Sequence, residues 1–368
     1  MFELTISKQQ LLTPLLTVAG AVDKKQSLAI LSNILLKLTD SHLVLTATDL
    51  EIEIIGRVTC TASQDTGAVT VPAKKMIDII RSLNDDATPT ISSHEGIVTI
   101  KEGRSQFKLA TLPADSYPNT EEEVNEVEFN VSRLSLIHLL QSTHFAMSQQ
   151  DVRIFLNGLL LELDAKSVTA VATDGHRMAI CHLPGDINSQ HHRLLIPRKG
   201  VQEILRLLNT IPDEQVLLSA GKGHFKLVSN EYTFLTKLID ARFPPYTKAI
   251  PAGQDKQVII ECDLLKRALS RIIILANEKS RAVLLHMQSG QLTLIANNQE
   301  QEEAIETLPA ETEGGELKIG LNANYLLDVL NHIGSGQMRI SMSTTDSSIL
   351  VESIQDPHYS YIIMPMKI

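Results

Sequence analysis

Asp174-Gly175-His176-Arg177 is the one catalytic-looking cluster in this sequence, with a carboxylate, an imidazole and a guanidinium in four consecutive positions. A His beside an Asp could serve as a general base. Neighbouring residues on a strand or turn point in different directions, however, and no second acid or nucleophile recurs nearby. The competing reading is a turn in which Gly175 supplies backbone freedom and Asp174 accepts a local hydrogen bond. The sequence contains no GxxxxGK followed by Ser or Thr, no GxGxxG after a strand, no GxSxG and no HExxH. His191-His192 lacks further ligands at metal-binding spacing, and Cys60, Cys181 and Cys262 form no CxxC pair. The cysteines read as reduced structural thiols, and no catalytic residue, metal or cofactor is expected.

The cluster belongs to Val171–Ile180, VATDGHRMAI, which has two echoes in the chain. Thr46–Glu51 reads TATDLE and Ile295–Glu300 reads IANNQE, so that Ala47, Ala172 and Ala296 stand 125 and 124 residues apart. The runs VPAKKMIDIIRSL, IPRKGVQEILRLL and GLNANYLLDVLNHI start at Val71, Ile196 and Gly320, again 125 and 124 apart. A fixed, domain-sized period predicts one small domain written three times, with boundaries at 1–125, 126–253 and 254–368. The middle copy alone carries Gly-His-Arg at its turn.

Each copy predicts a strand, a helix, a meander, a second helix and a second meander. The helices fall at about Ser7–Val22, Ala73–Leu83, Ser132–Ala146, Arg198–Leu208, Asp263–Ala276 and Asn322–Ile333. Ser7 is the N-cap of the first, Pro14 lies inside it, and Pro72 starts the second. In the middle copy the strands are expected at Leu156–Leu163, Ser167–Thr173 and Arg177–His182. The expected fold class is α+β, with two helices packed on antiparallel sheets in every copy. Asp115–Glu126 and Phe243–Asp255 read as extended, polar linkers.

Net charge is −10 over 368 residues, which taken alone argues against tight nucleic-acid binding. Its distribution matters more: acid gathers at Glu121–Glu123 and Glu300–Glu306, while the second helices of copies one and two carry Lys74, Lys75, Arg81, Arg198, Lys199 and Arg206. No signal peptide or membrane-spanning run is found, so a cytoplasmic location and no membrane partner are expected. The apolar terminus YIIMPMKI reads as a final edge strand that Pro365 ends.

At this point VATDGHRMAI, the LNGLLLE run before it, QDVR, RFPPY, NEKSR, ANNQEQEEA and terminal MPMKI resemble the bacterial DNA polymerase III sliding clamp family, the beta subunits, over the whole chain. The resemblance implies a head-to-tail homodimer of two three-domain crescents. The resulting closed, pseudo-sixfold ring would encircle duplex DNA without reading its sequence. It implies a processivity factor that tethers the DNA polymerase III alpha subunit, the clamp loader and repair polymerases by short linear peptides of the Gln-x-x-Leu-Phe kind. Lys25, Lys74, Gln150, Arg198, Lys199 and Arg206 would then touch DNA, with Ile154 and Phe155 standing where other members have tyrosines. The peptide groove would be walled by Leu156, Thr173, Gly175, His176, Arg177, Met178, Pro244, Asn322, Tyr325, Ser348, Ile362, Met364, Pro365 and Met366. Lys248, Ala249, Ser280 and Asp346 differ from the commonest family residues at its rim. The dimer contact would pack Phe107 and Leu109 on Ile274 and Leu275, with Lys75 and Arg104 facing Glu300, Glu303 and Glu306, and Gln106 replacing a basic residue. Two other classes compete: an enzyme using Asp174 and His176, and a monomeric sheet-rich adaptor.

Overall fold

The structure, a computed structural model, describes residues 2–22, 28–39, 41–60, 66–118, 124–185, 187 and 191–367. Copy one runs β1 (Phe2–Thr5), α1 (Lys8–Val18), β2 (Asn33–Leu38), β3 (His42–Thr48), β4 (Ile52–Thr59), β5 (Gly67–Pro72), α2 (Ala73–Ser82), β6 (Thr90–His94), β7 (Ile97–Glu102) and β8 (Ser105–Ala110). Copy two repeats the order as β9 (Val127–Ser132), α3 (Arg133–Gln141), β10 (Gly158–Asp164), β11 (Ser167–Thr173), β12 (Arg177–Pro184), β13 (His192–Pro197), α4 (Arg198–Leu208), β14 (Gln215–Ala220), β15 (His224–Val228) and β16 (Tyr232–Lys237). Copy three has β17 (Lys256–Glu261), α5 (Cys262–Ile272), β18 (Ala282–Gln288), β19 (Gln291–Asn297), β20 (Glu303–Pro309), an added β21 (Glu311–Glu313), β22 (Leu317–Asn322), α6 (Ala323–Ile333), β23 (Gln337–Met342), β24 (Ile349–Ser353) and β25 (Tyr359–Ile363).

Local rules account for most of these elements. The Ser7 side chain accepts from the Gln10 amide at 3.2 Å and caps α1, and Pro14 lies within the helix without ending it. The first helices are shorter than the spacing predicts, because each gives way to a 3-10 turn, at Ala19–Ala21, His144–Ala146 and Ile273–Leu275. Strands β5, β13 and β22 lead directly into the second helices. Pro72, Pro197 and Asn322 end them at the same sheet position, opposite Asn33, Gly158 and Ala282, so the second repeat lag is 125 twice and Gly320 is one residue early. The strand expected from Leu156 starts at Gly158, because Ile154–Asn157 closes a 3-10 turn.

The chain divides into two compact units. Unit 1, residues 1–134 and 202–238, holds the sheets β1-β6-β7-β8 and β5-β2-β3-β4-β16-β15-β14-β9. Unit 2, residues 135–201 and 239–368, holds β20-β19-β18-β22 and β13-β10-β11-β12-β25-β24-β23-β17-β21. Every strand pairing among the described residues is antiparallel. The units therefore cut across the copies. In unit 1, β4 of copy one pairs with β16 of copy two, and in unit 2, β12 of copy two pairs with β25 of copy three. Their counterparts β20 and β8 each end a four-stranded sheet.

The terminal strand is thus no edge: β25 lies between β12 and β24. The second linker also departs from expectation, since Phe243 and Tyr246 are buried in one cluster with Leu160, Val171, Ile180 and Ile362. Aromatic area outweighs local polarity there, and the Tyr246 hydroxyl keeps a partner by donating to Glu162 at 2.7 Å. No described helix is long and apolar enough to cross a membrane.

A two-residue turn, Glu95-Gly96, joins β6 to β7 with φ of 46° and 75°. Both residues are left-handed, the geometry that Asn-Gly satisfies best. Glu95→Asn should stabilise unit 1 by about 1 kcal/mol, the lower end of the left-handed penalty. An exposed His94 contact at 3.8 Å offsets little of that gain. Urea unfolding of the full chain reads the shift.

Candidate functional site

The Asp174 turn is built from side-chain hydrogen bonds. Thr173 Oγ1 donates to the Arg177 carbonyl at 2.6 Å and accepts the Gly175 amide at 3.1 Å. Asp174 Oδ1 accepts the amides of His176 and Arg177 at 2.9 and 3.0 Å, while Oδ2 accepts Arg177 Nε at 3.0 Å. Copy one makes the same turn with Thr48 and Asp49, placing Leu50 at φ 76° where copy two has Gly175 at 89°. A Cβ on Gly175 would also come within 3.0 Å of the Arg153 guanidinium, so the middle copy has two reasons for glycine. In copy three Asn298 Oδ1 accepts the Glu300 and Glu302 amides and Gln301 takes φ 64°, in a loop one residue longer. Both Asp174 oxygens are committed to the turn and to Arg177, which fits a structural carboxylate and not a proton acceptor.

Arg177 is the hub of unit 2. Besides Asp174 it donates to Asp328 Oδ2 at 2.5 Å and to the Phe145 carbonyl at 2.9 Å. Its guanidinium lies 4.6 Å from the Tyr325 ring centroid and 5.4 Å from that of Phe145. Burial, then Asp174, raises the Tyr325 phenol above its ordinary range, so the ring meets Arg177 as a neutral π-face.

Beside this hub opens a cleft of about 690 Å³. Leu156, Thr173, Gly175, His176, Arg177, Met178, Pro244, Ser348, Ile362 and Met364 line it, as the resemblance implies, with Lys248 and Ala249 at the rim. Asn322, Tyr325, Pro365 and Met366 do not line it. Asn322 caps α6 by accepting the Asn324 amide, and Tyr325 supports Arg177. The tail is pinned, with the Met364 amide on the His176 carbonyl and the Met366 amide on that of Gly320, both at 2.9 Å. Ser280 and Asp346 do not line the cleft, whereas Arg153, Phe155 and Ile250-Pro251-Ala252 do. Phe155 packs edge-on to Phe243 at 6.1 Å, and the apolar residues of the supposed linker were the available signal for that wall.

The other expected sites are more dispersed. Lys25 lies outside the described residues. Lys74 and Gln150 are exposed and Lys199 is half-buried. Arg198, half-buried, donates to the Met147 carbonyl at 2.8 Å, and burial followed by Arg177 lowers its pKa. Arg206 pairs with Glu203 at 2.6 Å and donates to the carbonyls of Leu16 and Thr17, where it braces the end of α1. Lys75, Arg104, Glu300 and Glu303 are exposed, Ile274 is 74% exposed, and Phe107 and Leu275 are half-buried. Leu109 is buried within its own sheet, and Glu306 is already paired with Arg271 through Nε at 3.1 Å.

Comparison with known proteins decides the family. The description "DNA polymerase III beta subunit" matches three times, its N-terminal domain over residues 2–121, its central domain over 130–245 and its C-terminal domain over 247–367. This chain belongs to the DNA polymerase III beta-subunit family, the beta sliding clamps. It is 44% identical over 365 residues to the beta sliding clamp of Pseudomonas aeruginosa and 39% identical over 364 residues to that of Escherichia coli, with 99% of both chains covered in each case. A crystal structure of the DNA polymerase III subunit beta from P. aeruginosa superposes with TM-score 0.96 at 43% identity over all of both chains. Another P. aeruginosa sliding clamp, bound to griselimycin, superposes at 0.97. The chain is a processivity factor of DNA replication, built from three clamp domains.

Proposed function

We propose that this beta sliding clamp holds its partners by a short linear peptide laid in the cleft beside Arg177, and that two chains close head to tail around duplex DNA in the cytoplasm. The observation that carries the first part is the cleft itself. The turn unique to copy two and the apolar end of β25 wall one concavity, with Met178, Ile362 and Met364 supplying apolar surface and the turn supplying polar groups. A Leu or aromatic anchor seated there is the usual energetic centre of such recognition. The DNA polymerase III alpha subunit, the clamp loader and repair polymerases are the partners we assign to it.

The repeat supports ring closure. Two junctions of one kind are made within the chain, β4 with β16 and β12 with β25, and the third pair, β20 of copy three and β8 of copy one, is left open in the single chain. An open edge is a template for another strand. Transferring the register of the made junctions sets Glu303 opposite Lys108 and Ile305 opposite Gln106. Phe145, whose ring lies 5.8 Å from Tyr361 in a made junction, has Ile274 as its counterpart in copy three, and Tyr361 has Phe107 in copy one. Phe107 and Ile274 then meet across the dimer, supported by Leu109 and Leu275 and rimmed by Lys75, Arg104, Glu300 and Glu303. Domain limits at residues 125 and 253 complete this reading. Lys25, Lys74, Gln150, Arg198 and Lys199 are our candidates for sequence-independent contact with phosphates; Arg206 we assign to bracing α1.

A labelled peptide containing Gln-x-x-Leu-Phe, titrated against the full chain and against a chain ending at Ile363, tests the cleft. Binding in the micromolar range, weakened more than tenfold by the truncation, is the expected result. Equal affinities would remove the tail from the site, and failure of the full chain to bind would overturn the reading.

A further inference from the structure

Behind the groove, two histidines and a phenylalanine form a stack that neither the turn nor the cleft requires. Phe145 lies face to face with His332, centroids 4.2 Å apart and planes 21° from parallel, and the His144 ring stands edge-on to His332 at 6.0 Å. The same Phe145 carries the Arg177 guanidinium at 5.4 Å and gives it a carbonyl acceptor. His332 Nδ1 lies 2.7 Å from the carbonyl of Asp328, the residue whose carboxylate holds Arg177. His144 Nδ1 lies 3.1 Å from the Leu140 carbonyl.

The formal charges around the stack cancel, two guanidiniums against two carboxylates, but they are unevenly placed, with both carboxylates on Arg177 and Arg198 on the Met147 carbonyl. From β12 comes Arg177, from α4 Arg198, from the turn Asp174, and from α6 Asp328 with Tyr325; β25 contributes the neutral phenol of Tyr361. Asp174 and Asp328 are both spent on Arg177. A proton on His144 would therefore add a cation to a stack whose other end carries the Arg177 guanidinium and beside which Arg198 stands.

Resting on the groove reading above, we infer that His144 is the proton-responsive end of a brace that runs through His332 and Phe145 to Arg177: its neutral imidazole lets Arg177 hold the groove wall, and its protonated form loosens that hold and weakens the bound peptide. Burial, followed by two backbone carbonyls that oppose it and then by His332 and Arg198, lowers the His144 pKa from its ordinary 6.5. The sign follows. The lowered pKa belongs to the folded chain, and on this inference the peptide-bound form holds the proton more weakly still, so affinity is full at and above that ordinary value and is lost as pH falls below it.

The test is a peptide titration at pH 7.5 and at pH 5.5. It is run in a His176→Gln background, so that the imidazole lining the groove does not contribute, with and without His144→Gln and His332→Gln together. One linked proton corresponds to about threefold to tenfold weaker binding over that interval, and the double replacement should flatten the profile. Absence of binding at pH 7.5 in the unsubstituted chain would sink the groove reading; binding there with the same slope in parent and double variant would sink only the brace. Reciprocity gives a check that needs no variant. Saturating peptide must lower the apparent pKa of an imidazole in this stack, read from histidine ring protons by NMR, and unchanged titrations would overturn the inference.

Discussion

Arg177→Ala is expected to destabilise unit 2 by about 2–3 kcal/mol and to weaken peptide binding more than a hundredfold. The guanidinium side chain is 13% exposed and serves two carboxylates, one carbonyl and two rings. Its removal takes from Asp174, whose side chain is 17% exposed, its ion-pair partner. Asp328, at 40%, is partly rescued by solvent, which keeps the estimate below the full cost of breaking a buried pair. The affinity loss is the larger effect because Arg177 fixes both the turn that presents His176 and the Tyr325 ring behind the wall. Arg177→Lys should recover little, since an ammonium cannot serve two carboxylates and stack on rings together. Urea unfolding of the full chain, paired with the peptide titration, reads both effects. An unfolding midpoint and affinity equal to those of the parent would remove Arg177 from the centre of unit 2.

A chain carrying Ile274→Asp is expected to run as a monomer at micromolar concentration, where the parent runs as a dimer. Ile274 is 74% exposed in the single chain, so the substitution costs the fold nothing comparable. In the dimer the residue would be covered, as its counterpart Phe145 is covered by Tyr361. Losing that burial is worth about 1.5–3 kcal/mol, and a carboxylate placed among Glu300 and Glu303 adds repulsion. A closed ring has two such interfaces, so the penalty counts twice. Arg104→Ala, at the exposed rim, should change dimerisation by only about 0–1 kcal/mol. Light scattering after size exclusion separates the outcomes: a dimer mass for the Asp variant, or a monomer mass for the parent, would reject the head-to-tail contact.

How far the site could be read in advance depended on sequence separation. The Thr-Asp turn was legible because its bonds close within four residues and because copies one and three repeat its frame at a fixed lag. The role of Arg177 was not, since Asp328 and Phe145 lie 151 and 32 residues away and nothing local marks either as its partner. Strands β5, β13 and β22 carry no bounds in the sequence reading because VTV, LLI and KIG are short apolar runs that strand and helix share. The groove wall at Ile250–Ala252 was missed when prolines were taken to mean a solvated linker. Arg206 counts among the basic residues of its helix that outnumber Glu203, and the structure pairs those two one helical turn apart.

The pairing of β12 with β25, Arg177 opposite Ile363, also has a temporal side. Every strand of unit 1 lies before Leu238, whereas β25 begins 121 positions later, at Tyr359. During synthesis unit 1 has all its strands on the order of ten seconds before β25 leaves the ribosome. Through that interval β12 has an unpaired edge and the partner cleft lacks a wall. A nascent chain therefore cannot compete for partners, and its open β12 edge is the segment a chaperone would have reason to shield.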